Sequence, residues 1–92
     1  MESENTSYSE SAFRHGFSPR DYEQVWRNRK VVIRSRRGIE SVYEVFGRND
    51  AGACIHAIIR RLRMGPQRET LVFHMNVMAK ADMDRYNRIL GT

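Results

Sequence analysis

A chain of 92 residues carries 16 Lys+Arg against 11 Asp+Glu, a formal net charge of +5. So short a chain buries only roughly 60 to 65% of the surface its unfolded form exposes, which leaves room for one modest core and excludes a multidomain or cofactor-domain enzyme. At 40% hydrophobic residues it still has enough apolar surface to fold, so wholesale disorder is excluded too.

Residues 1–10 hold Glu2, Glu4 and Glu10 among Ser, Asn and Thr, lack periodicity, and read as a disordered acidic tail preceding a single domain over 11–92. Without the tail, 16 cations face eight carboxylates (eleven less three), a net +8. Residues 11–15 allow one short helical turn ending at Gly16. At 17–22 the helix-start signals coincide: Ser18 as N-cap, Pro19 at the first helical position, Asp21 three residues past the cap, and Phe17 and Tyr22 as a hydrophobic staple. Tyr22, Val25 and Trp26 then share one face of a helix that ends near Asn28.

From Lys30 the chemistry becomes that of strands. Val31, Val32 and Ile33 are β-branched, Arg36-Arg37-Gly38 is a turn, and 41–46 completes a hairpin. After a second turn at 49–52, residues 53–62 read as a longer strand with Ile55, Ala57 and Ile59 on one face and Cys54, His56, Ile58 and Arg60 on the other. Residues 64–68 turn the chain again. In a fourth strand over 71–75, Leu71, Phe73 and Met75 alternate with Val72 and His74. Ala79, Met83, Tyr86 and Leu90 form the stripe of a last helix, with Lys80–Asp84 and Asp84–Arg88 at i,i+4 spacing and Gly91 as its stop. The expected fold is a small α+β domain: a four-stranded antiparallel meander with an N-terminal and a C-terminal helix against one face.

Cys54 has no internal disulfide partner and no signal-peptide pattern opens the chain, so a cytoplasmic protein is expected. No apolar run approaches the ~18 residues of a membrane span, because His56 and Arg60 interrupt the most hydrophobic segment; no membrane partner is expected. P-loop, GxGxxG, HExxH, paired CxxC and GxSxG motifs are all absent. A zinc site on Cys54 and His56 would need two further ligands, so no metal and no cofactor are expected.

What remains is an Arg-rich surface with scattered His and Tyr. Fourteen of the cations are Arg, whose guanidinium matches phosphate bidentately and stacks on bases. That equipment suits metal-independent RNA cleavage, in which the 2′-OH attacks the adjacent phosphate, a base takes its proton, an acid protonates the 5′-oxygen, and cations hold the added charge. His74, near the end of the last strand, is the preferred acid or base, with Arg60 and Arg61 as catalytic phosphate ligands. His56 either lines a phosphate site with Arg60 or sits half-buried between Cys54 and Ile58, and His15 caps a helical turn. Arg34, Arg36, Arg37, Arg48 and Arg63 are the expected RNA-binding cations.

His15-Gly16-Phe17-Ser18-Pro19 with Asp21, then Tyr43-Glu44-Val45-Phe46-Gly47-Arg48 with Ala51-Gly52 before a hydrophobic strand, and Met78-Ala79-Lys80-Ala81-Asp82-Met83-Asp84-Arg85-Tyr86 at the end, together resemble the BrnT-type toxins over about residues 11 to 90. The resemblance implies a RelE-like fold, a toxin of a type II toxin-antitoxin system that cleaves RNA to inhibit translation, and a cognate antitoxin through which alone DNA would be met. The chain departs from the family's pattern in four places: its edge strand before His-Gly is replaced by the acidic tail, its Ala-Arg at the end of the last strand by Met75-Asn76, its capping Thr by Ala79, and its Glu in the last helix by Asp82. The alternative is a nucleic-acid- or protein-binding module of the same fold without catalysis.

Overall fold

The computed structural model describes residues 3–35, 41–64 and 67–91. Five strands, β1 (Ser3–Tyr8), β2 (Val31–Arg34), β3 (Val42–Arg48), β4 (Cys54–Met64) and β5 (Gln67–Val77), and two helices, α1 (Pro19–Arg27) and α2 (Lys80–Ile89), make up the α+β fold, with a short 3-10 turn at Glu10–Phe13. The sheet order is β1-β5-β4-β3-β2, with β1 parallel to β5 and the other pairs antiparallel. The expected four-stranded meander is thus corrected to a five-stranded mixed sheet. Among the described residues no helix is long and apolar enough to cross a membrane.

The fifth strand comes from the segment expected to be a disordered tail. Its described side chains are exposed, apart from Tyr8, which is half-buried against Phe13 and Tyr22. Backbone pairing from Ser3↔Gln67 to Tyr8↔Val72 therefore holds β1, and Ser9 N–H extends the pairing to the Val72 carbonyl at 3.0 Å. A strand held by its backbone on a sheet edge needs no alternation of apolar residues.

Strand alternation divides the core in two. On one face Val45, Ala57 and Met75 lie in register and pack with Val25 and Tyr22 of α1 and Ala12 of the 3-10 turn. On the other, Val31 and Phe46 pack with Met78 and with Tyr86 and Met83 of α2. The helices thus cover opposite faces, where the sequence reading put both on one. Gly47 makes the first arrangement feasible: a Cβ there would sit 2.8 Å from the Val25 carbonyl oxygen, so α1 approaches the sheet as closely as it does only because no side chain intervenes.

The start of α1 follows its sequence signals. Ser18 N–H donates to Asp21 Oδ2 at 2.8 Å and the Ser18 hydroxyl donates to the same oxygen at 3.1 Å. These bonds hold the Asp21 carboxyl below its ordinary range. The turn expected at Arg36-Arg37-Gly38 lies outside the described residues, as do 65–66 of the turn expected over 64–68, whose other members extend β4 and β5 instead.

Candidate functional site

A β-bulge decides where His74 points. Ile58 pairs with His74 but Ile59 pairs with Val72, so Phe73 is the extra residue on β5. Its carbonyl accepts the Ser11 hydroxyl at 2.7 Å instead. Unbroken alternation would put His74 on the side of Val72; the bulge turns it to the opposite face. Val72 and Met75 are therefore both fully buried in the α1 core, while His74 shares its face with Ile58, His56 and Arg60.

There the chain's three histidines form a row. The ring centroids of His15 and His74 are 5.6 Å apart and those of His74 and His56 5.9 Å, both edge-on. His15 arrives because β1 ends at the bulge and the 3-10 turn tucks beneath it, leaving His15 exposed beside the half-buried His74. Partial burial is the main cause pushing the His74 imidazole below its ordinary pKa; the charges of His56, His15 and Arg14 push the same way and Asp82 opposes them.

The buried end of the row is anchored. His56 Nε2 lies 3.0 Å from Glu44 Oε1, and Arg85 of α2 reaches the same carboxylate with Nη1 to Oε1 at 3.3 Å and Nη2 to Oε2 at 3.0 Å. A carboxylate only accepts, so His56 Nε2 carries the hydrogen and Nδ1 faces Asp82 at 3.9 Å. Burial raises the Glu44 carboxyl, but the Arg85 guanidinium, helped by His56, outweighs it and holds the group below its usual range. Phe46 completes the floor, stacked on His56 at 4.8 Å with Arg85 5.3 Å above its ring centroid. Among the described residues no buried side-chain nitrogen or oxygen lacks a partner.

The expected cations are distributed rather than gathered. Arg60 is exposed on the His74 face, one pleat beyond Ile58. Arg61 points to the opposite face, 5.1 Å from the Trp26 ring centroid, and lines a pocket there with Val32, Tyr43, Leu62 and Arg68. Arg34, paired opposite Tyr43, shares that face. Arg48 lies on the α2 side but near that helix's C-terminus, in a pocket of about 490 Å³ with Lys30, Asn28 and Tyr86. Arg36, Arg37 and the Arg63 side chain lie outside the described residues. Cys54 packs against the α2 core, and among the described residues no three His, Cys, Asp or Glu side chains are grouped to hold a metal ion.

Sequence reasoning singled out His74 and weighed His56 and His15 separately, but missed Glu44, Asp82 and Arg85. Glu44 is separated from Arg85 by 41 positions, and no local pattern signals a pairing made by β3 with the final helix. A search of protein-family models and of curated proteins finds no match to this chain.

Proposed function

We propose that the protein is a metal-independent endoribonuclease of the toxin type, acting on RNA at the histidine row. The observation that carries this reading is the convergence of His15, His74 and His56 from three separated segments onto one sheet face beside Arg14 and Arg60. In the reaction, neutral His74 accepts the 2′-OH proton as O2′ forms its bond to phosphorus. The bond from phosphorus to the 5′-oxygen breaks in line, and His15 delivers a proton to that oxygen. A 2′,3′-cyclic phosphate and a 5′-hydroxyl result. Arg60 and Arg14 hold the charge gathering on the non-bridging oxygens. His56 is a positioning residue, fixed by Glu44 and Arg85 as the wall against which His74 rests.

Two features support the link to the BrnT-type toxins. The edge strand expected in that family before its His-Gly motif has a counterpart in β1, and His15-Gly16 stands at the row. The cytoplasm as its location and the cognate antitoxin as its protein partner belong to the same proposal. One observation favours the non-catalytic alternative: Arg61 and Arg34 stand on the face opposite His74, so much of the cationic surface is suited to binding rather than to the chemistry.

The test is expression of wild type and His74→Ala with measurement of growth and of RNA cleavage in chelator-containing buffer. Slowed growth and cleavage by wild type alone are expected. Wild-type protein that neither slows growth nor cuts RNA rules out the nuclease, and cleavage retained by His74→Ala rules out the residue assignment.

A further inference from the structure

The face opposite the histidines carries a second assembly that the proposed chemistry does not use. Trp26, the chain's single tryptophan, has the Arg29 guanidinium 3.9 Å from its ring centroid and that of Arg61 at 5.1 Å. Arg61 is also one wall of a cavity of about 260 Å³ whose other walls are Tyr43, Val32, Leu62 and Arg68. Val32 is 39% exposed, so its side chain is open at this face.

An aromatic ring and an aliphatic side chain offer a flat apolar body a place to stack, and two guanidinium groups at the same opening offer bidentate partners to an anion. A nucleotide has both parts. A chain with net charge +5 draws polyanions to such a surface without sequence preference. We propose that this cavity is a subsite for one nucleotide of a single-stranded nucleic acid, the base held against Tyr43 and Val32 and its phosphate by Arg61 and Arg68. This deepens the RNA-directed reading and rests on it, yet its location makes it separable from the histidine row. A strand bound here runs over the α1 side of the sheet and reaches the histidines around an edge.

Trp26 gives the measurement. A short single-stranded oligodeoxynucleotide lacks the 2′-OH and so cannot be cleaved by the proposed route, which lets binding be read alone by tryptophan fluorescence. A saturable change in Trp26 emission is expected, weakened roughly ten-fold or more in Arg61→Gln with Arg68→Gln and in Val32→Glu, and retained in His74→Ala. The unbound emission spectrum of each variant reports whether Trp26 keeps its surroundings. A fluorescence response unaffected by these cavity substitutions, or none despite binding measured by anisotropy of a labelled oligonucleotide, overturns the subsite and leaves the nuclease proposal standing. RNA cleavage by wild type without any oligonucleotide effect on Trp26 does the same. A normal Trp26 response with no RNA cleavage leaves the subsite and removes the nuclease.

Discussion

In the proposed reaction His74 is the base because the bulge at Phe73 gives it a different neighbourhood from the one strand alternation assigns. Burial and the surrounding cations favour its neutral form, which is the form a general base requires. Cleavage should fall as pH drops through a midpoint below the ordinary histidine value of about 6.5, and a pH–rate profile checks it. His74→Ala should lower the rate by about 10²- to 10⁴-fold with circular dichroism unchanged. His74 was legible as a candidate from its place near the end of a strand. Its orientation was not, because an inserted residue inverts every later position without leaving a mark in the hydrophobic pattern. Glu44 was read only as part of a strand motif. It is 7% exposed and bonds to both His56 and Arg85, so Glu44→Ala removes both hydrogen bonds of a largely buried guanidinium, leaving it only Asp82 at 3.6 Å, and should cost about 3 kcal/mol in denaturant unfolding, Glu44→Gln less.

At the scale of elements, α1 was legible almost residue by residue. Its start depends on local chemistry at Ser18, Pro19 and Asp21, which a sequence displays directly. The apolar stripe of α2 was legible only in part: Tyr86 is buried and Met83 packs beside it, but Ala79 and Leu90 are exposed, and Asp82 and Arg85 turn inward instead. That inward pair answers Glu44 and His56 on the sheet, a demand set by another element. β1 was illegible for the converse reason, since backbone pairing holds it and its described side chains carry little of the burden. Gly47 links α1 to β3 by the close approach of Val25. Gly47→Ala should lower stability by about 1 to 3 kcal/mol, seen as a reduced melting temperature, because the obstructing atom is backbone and cannot swing aside.

Across the whole molecule, the sheet separates two clusters of aromatic and cationic side chains that the charge count alone merges. One face holds the histidines with Arg14 and Arg60, the other the tryptophan with Arg29 and Arg61. β1 joins the two by ending where the 3-10 turn carries His15 to the row. Removing residues 1–8 should therefore lower the melting temperature and promote self-association through the uncovered edge of β5, measurable by light scattering. Acid should also weaken the fold. Asp21, Glu44 and His74 all have depressed values in the folded chain, so in each case the unfolded chain binds its proton first as pH falls. The His74 contribution is complete above about pH 6.5 and is lost below it, and those of the carboxylates fade from about pH 4 downward. Thermal melts should show stability falling from pH 7 toward pH 4, with the first part of that loss absent in His74→Ala.

The proposed activity is metal-independent cleavage of RNA through its own 2′-OH by three histidines gathered on one sheet face. Product analysis of a short RNA incubated with the protein in chelator-containing buffer tests it most directly. Wild type should leave 2′,3′-cyclic phosphate ends, His74→Ala none and His15→Ala strongly reduced product, with no cutting of the all-deoxy strand of the same sequence. Cleavage of the deoxy strand, or RNA products that never pass through a cyclic phosphate, would contradict it.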